Sequence, residues 1–154
     1  MNKVKQRAGI LMYALIVLMT FVSFGSCKKD DIEDYIFSYV AALDGTQAMP
    51  SNSVTGTGTC NATYDSIKNQ LAYTITWDGL TGTPSIINFQ APDGNGGFIN
   101  MPVTNSFSGN GVSGYLTIDQ QYEASLLSYG WYVNVSTSTY GDGEIRGALL
   151  KPQK

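Results

Sequence analysis

After residue 35 apolar and polar residues alternate along most of this chain, and the alternation predicts strands. The clearest case is "QLAYTITWD" (Gln70–Asp78), where Leu71, Tyr73, Ile75 and Trp77 interleave with Ala72, Thr74 and Thr76. The same reading gives strands over Tyr35–Leu43, Val54–Asp65, Ser85–Pro92, Phe98–Thr104, Gly111–Asp119, Trp131–Thr137 and Gly143–Leu150. Pro102 has no N–H for a ladder, so its strand is expected at a sheet edge or a bulge. Gly56 and Gly58 predict a bulge or a close backbone approach. The period breaks in "QQYEASLLSYG" (Gln120–Gly130), where Tyr122, Leu126 and Leu127 predict one or two helical turns stopped by Gly130. "DGNGG" (Asp93–Gly97) and Asp142-Gly143 read as turns; the first is too short for an EF-hand loop and lacks its closing Glu. About eight strands separated by frequent turn signals predict an all-β antiparallel sandwich or barrel, in one domain over 35–151.

The N-terminus follows another pattern. Basic "MNKVKQR" precedes an apolar run, Ala8–Phe24, and then "GSC", which together read as a secretory signal over 1–26. The run falls short of the roughly 20 apolar residues of a membrane span. "FGSC" resembles a bacterial lipobox, with Phe24 where an aliphatic residue is usual. That resemblance implies that Cys27 carries lipid and begins the mature chain. "KKDDIED" follows, so 27–34 reads as a charged tether, similar to the Lys-then-acidic tether of surface-directed Bacteroidota lipoproteins. The expected location is the cell envelope, as a surface-exposed outer-membrane lipoprotein, with the membrane as partner through its lipid anchor.

Composition narrows the chemistry. Only 14% of residues are charged and there is no His, which removes the usual general base and the commonest metal ligand. Losing Lys3, Lys5 and Arg7 from nine basic residues, against twelve acidic ones, leaves a mature net charge of about −6. Between Tyr35 and Leu150 only Lys68 and Arg146 are basic, so nucleic-acid binding is not expected. With Cys27 lipidated, Cys60 has no disulfide partner; it is expected as a small buried residue. Asp44, Asp65, Asp78, Asp119 and Asp142 stand mostly at turns, where Asp has a structural reason to be. Glu144 and Arg146 are two apart on a strand, so both are expected on one face as a structural ion pair.

Four landmarks, "LDGTQAMP" (Leu43–Pro50), "LAYTITWDGLTG" (Leu71–Gly82), "GWYVNVST" (Gly130–Thr137) and "GEIRGAL" (Gly143–Leu149), resemble the CHRD domain, the chordin-type family, over Val40–Leu150. The resemblance implies an extracytoplasmic Greek-key β-sandwich, distantly like copper–zinc superoxide dismutase or an immunoglobulin-type sandwich. Members commonly carry a His-x-His pair where this chain has Asn88 and Gln90, a His where it has Ser136, and a Glu where it has Ala48. Amides and a hydroxyl are weak ligands for zinc or copper, so no metal and no cofactor is expected. Asn88, Gln90, Asn134 and Ser136 then form a candidate polar pocket, either open to a neutral ligand such as a sugar or closed by mutual hydrogen bonds. Trp77, next to Asp78-Gly79, is the candidate exposed aromatic platform.

The expectation is a lipid-anchored, non-catalytic binding or structural module with no catalytic residues. A protein or glycan ligand is left open. The alternatives are a metal-dependent, superoxide-dismutase-like enzyme and a surface glycan-binding protein.

Overall fold

The computed structural model describes residues 35–107 and 109–153. The expected signal, Cys27 and the tether lie outside the described residues. Eight strands form: β1 (Ile36–Asp44), β2 (Thr57–Asp65), β3 (Gln70–Asp78), β4 (Pro84–Pro92), β5 (Phe98–Pro102), β6 (Gly111–Thr117), β7 (Tyr132–Thr137) and β8 (Ile145–Ala148). Among the described residues a single 3-10 turn, Gly45–Gln47, follows β1, and one α-helix, α1 (Gln120–Leu127), lies between β6 and β7. Asp119 caps it by accepting from the Gln121 N–H at 3.2 Å, and the chain leaves it through Tyr129 and Gly130. Among the described residues no helix is long and apolar enough to cross a membrane.

All strand pairs are antiparallel, in the order β5-β4-β7-β8-β1-β2-β3-β6. Two stacked sheets were expected; the ladder instead runs through one curled sheet, because β8 pairs with both β7 and β1. The second of these seams is thin. It consists of the Asp44–Arg146 pair and the Val40–Leu150 bridge, whose reciprocal N–H···O bonds are both 2.8 Å. Gly147 makes it possible, since a Cβ there would overlap the Ala42 carbonyl on β1. β5, which ends at Pro102, lies at an edge as expected.

The curl brings the two ends of the sheet together around one core. The Tyr73 ring of β3 meets the Phe89 ring of β4 at 5.1 Å. Gly58 allows the close approach expected of it: a Cβ there would stand 2.8 Å from the Thr76 carbonyl oxygen and 2.9 Å from Ile145 Cδ1. Leu71, Ile75, Ile87, Val133 and Val135 fill the interior from alternate strand positions, and Leu126 and Trp131 close it from the helix side. Each such side chain contributes about 1.5–3 kcal/mol by leaving water. Trp131 keeps its polar handle satisfied, with Nε1–H donating to Ser125 Oγ at 2.8 Å.

Cys60 is buried on β2, and burial pushes its thiol from an ordinary 9.0 up to about 12. A thiol reagent at pH 8 should therefore leave Cys60 unmodified in the folded chain and modify it after unfolding in urea. The shift also sets a pH dependence. The unfolded thiol ionises above 9.0 while the folded one stays neutral, so this stabilisation is complete below that pH and is lost as pH rises towards 12. Tyr64 acts in the same direction, because burial and its hydrogen bond to Glu123 push it up to about 12. The urea midpoint should decline above pH 9, and Cys60→Ala should flatten the first part of that decline.

Candidate functional site

Strand register gathers polar side chains on the outer face of β4, β7 and β8. Asn88 pairs with Asn134 and Asn134 with Arg146; beside them Gln90 pairs with Tyr132 and Ile86 with Ser136. These residues point away from the core, yet Asn134, Ser136 and Arg146 are buried. Two connecting segments cover them. The first, residues 45–54, is shaped at its start by Asp44, which accepts from the N–H groups of Thr46 and Gln47 at 2.8 and 3.1 Å. Its far end is fastened by Asn52, whose Nδ2 donates to the Glu144 carbonyl at 3.1 Å. The second, residues 138–144, passes Gly143 over Asn134 with φ +146°; a Cβ there would overlap Asn134 Oδ1.

Arg146 is 5% exposed, and among the described residues no carboxylate pairs with it. Its Nε donates to Gln90 Oε1 at 2.9 Å, and Nη1 donates to the Gln47 carbonyl at a long 3.5 Å. The guanidinium carbon lies 3.7 Å from the centroid of the Tyr132 ring and 4.7 Å from that of Phe98, so two aromatic faces hold the cation. Burial lowers its pKa from the ordinary value, with Tyr132 acting in the opposite sense. Asn134 Nδ2 donates to the Asp142 carbonyl at 3.0 Å and to Ser136 Oγ at 3.4 Å. Above these groups a cleft of about 160 Å³ is lined by Met49, Gln90, Phe98, Asn134, Asp142 and Arg146. Among the described residues three buried side-chain atoms lack a hydrogen-bond partner: Tyr39 Oη, Asn134 Oδ1 and Arg146 Nη2. Asn134 and Arg146 both line the cleft, and Gly143 lies over Asn134 Oδ1.

The expected polar set is thus divided. Gln90 and Asn134 line the cleft with Arg146, Ser136 stands behind them as a hydrogen-bond partner, and Asn88 is outside its lining. The expected Glu144–Arg146 ion pair does not form. Among the described residues the ion pair is Lys68–Asp65, at 2.8 Å. Glu144 precedes β8, and its carboxyl group accepts from Thr81 N–H and Thr81 Oγ1–H at 2.7 Å each and from Thr137 Oγ1–H at 2.6 Å. Trp77 is no exposed platform: it is 6% exposed and packs edge-on against Phe107 at 6.3 Å.

A larger groove of about 600 Å³ crosses the outer face of β1, β2, β3 and β6, beside Tyr115 and Ser113. Two pairs of hydroxyls on this face bond each other, Thr74–Ser113 at 2.9 Å and Thr59–Thr76 at 2.8 Å. Tyr39, whose buried Oη is unpartnered, is among the groove's lining residues, but no charged side chain lines it.

A family model described as the CHRD domain matches residues 39–149, well over half of the chain. The chain belongs to the CHRD family. No curated protein and no solved structure matches it. The matched segment of this CHRD domain runs from within β1 past the end of β8 and so contains every residue of the cleft. The donor set does not fit copper or zinc. Gln90 Oε1 is committed to the Arg146 cation, and Ser136 Oγ accepts from Asn134. Among the described residues no group of three or more His, Cys, Asp and Glu could hold a metal ion. Sequence reasoning missed Phe98 and Tyr132 as the aromatic walls of Arg146. The signal for Tyr132 was available in the alternation of "WYVNVST", which places it on the face of Asn134.

Proposed function

We propose that this CHRD domain is a non-catalytic binding module of the cell envelope, anchored through lipid on Cys27, with the Arg146 cleft as its binding site. The lipobox-like "FGSC" and the charged tether support an outer-membrane lipoprotein with its β-domain facing outward, of Bacteroidota type. We read the curled sheet as a Greek-key sandwich whose layers stay joined at the β1–β8 seam. The observation that carries the binding role is the buried Arg146 Nη2, without a hydrogen-bond partner in a side chain that lines the cleft. Leaving such groups unmet costs about 1–3 kcal/mol each, a cost that a bound partner removes. The cleft lining carries one acid, Asp142, with no second acid or base to share proton transfer.

A thermal-shift screen of the purified full chain against envelope oligosaccharides, peptides and lipids tests the reading. At least one compound should raise Tm by several degrees, consistent with about 2.7 kcal/mol at a hundredfold excess over Kd. Arg146→Lys should abolish that shift, and Cys27→Ala should remove the chain from the detergent phase. An equal shift in Arg146→Lys, or none with any compound, would refute the cleft as a binding site.

A further inference from the structure

We infer that β6 is a docking edge for the β6 of a second copy of this chain, the two strands pairing antiparallel about a two-fold axis at Gly114. β6 ends the strand order and pairs on one side only, with β3. Two bonds flanking the strand fix which of its backbone groups that pairing uses. Trp77 N–H donates to the Asn110 carbonyl at 3.0 Å, and Ile118 N–H donates to the Asn69 carbonyl at 2.8 Å. Residues 110 and 118 therefore hold hydrogen-bonded positions of the β3–β6 ladder. Alternation then turns the N–H and C=O groups of Val112, Gly114 and Leu116 towards β3. Those of Gly111, Ser113, Tyr115 and Thr117 point away from it. Among the described residues no hydrogen bond reaches that outward set. Ser113, Tyr115 and Thr117 are exposed, Tyr115 at 70%.

A row of alternating donors and acceptors is matched by another extended strand. Sheets commonly blunt a free edge with charge, proline or a bulge. β5, at the other end of the strand order, has Pro102; β6 has no charged residue, no proline and an unbroken register with β3. The partner that its own sequence fits is a second β6. Turned antiparallel on itself, "GVSGYLT" sets Tyr115 opposite Ser113 and Thr117 opposite Gly111 on the outer face. Each larger outer residue thus meets a smaller one, and Gly114 meets Gly114 at the axis. In this register the outward sets of the two copies face each other over all seven residues of the strand, giving about eight hydrogen bonds. A slip of one residue would set outward groups against groups already used by β3. The uncharged edge also lets two chains approach despite a mature net charge of about −6 each. One strand pair is a small contact beside a standard interface of roughly 1,600 Å², so the dimer is reversible.

Sedimentation equilibrium of the full chain in density-matched detergent should show monomer and dimer exchanging with a Kd on the order of 10 μM. Tyr115→Pro removes an N–H that the β3 ladder does not use, so it should leave Tm within a few degrees and weaken the dimer at least about tenfold. Tyr115→Lys keeps the N–H and places like charges diagonally across the axis; it should weaken the dimer by a similar factor, and it decides the matter if the proline variant fails to fold. Ser113→Cys and Tyr115→Cys chains mixed under mild oxidation should form an interchain disulfide beyond the level of either variant alone, because the two positions stand opposite each other about 5.5 Å apart at Cα. A full chain that stays monomeric at about 100 μM would overturn the inference. So would a dimer that Tyr115→Lys leaves intact and the mixed cysteines do not trap.

Discussion

Glu144→Ala should destabilise the domain by roughly 2–4 kcal/mol, with Tm falling by an amount on the order of 10 °C. Glu144 is fully buried, has no cationic partner among the described residues, and both of its oxygens are bound. It ties the turn at Thr81 to the end of β7 at Thr137, two segments with no other fastening of comparable strength. Removing the carboxyl group leaves Thr137, itself 1% exposed, with a hydroxyl away from water and a cavity beside it. Glu144→Gln should cost much less, about 1 kcal/mol. Its amide oxygen can keep the Thr81 N–H, which is fixed as a donor, if its NH₂ faces the two hydroxyls, which rotate to accept. Urea unfolding at constant m-value reads both variants. Equal losses for Ala and Gln would show that the hydrogen-bond geometry is not what Glu144 contributes.

Gly147→Ala should be more damaging, with a loss above about 4 kcal/mol and failure to fold as the extreme outcome. The clash is with backbone, the Ala42 carbonyl, which cannot move without opening the ladder between β8 and β1. Opening it separates β5-β4-β7-β8 from β1-β2-β3-β6. Gly141→Ala is the control: nothing lies within 4 Å of a Cβ there and its φ is unexceptional, so stability should hardly change. Amide NMR spectra and melting curves of the two variants would decide the matter. A Gly147→Ala chain that melts with the parent would mean that the seam yields more easily than its geometry implies.

Local pattern made the strands legible. β3 appears over the residues its alternation predicts, and Pro102 marks an edge because it lacks an N–H. The single sheet was not legible, because the β1–β8 seam rests on few pairs between segments far apart in sequence, which no local period encodes. Gln90, Asn134 and Arg146 could be found because alternation holds inside their strands. The Glu144–Arg146 pair failed because Glu144 lies before the ladder of β8, after Gly143 has turned the chain at positive φ. Trp77 failed for a tertiary reason: Phe107 and the Trp77 N–H bond to the Asn110 carbonyl fold the β5–β6 connection over it. The aromatic walls of Arg146 needed the packing of β5 beside β4, since Phe98 pairs with Pro92 there.

The position of β1 bears on how the domain assembles. It is the first of the described strands, yet it lies mid-sheet, with β2 on one side and β8 on the other. β1, β2 and β3 are consecutive along the chain and can pair early, whereas β8 is the strand farthest from β1 along the chain. Until β8 arrives, β1 presents an unpaired edge of apolar and small residues to its surroundings. The same edge would accept the β8 of a second copy, so crowding before closure favours strand-exchanged dimers over monomers.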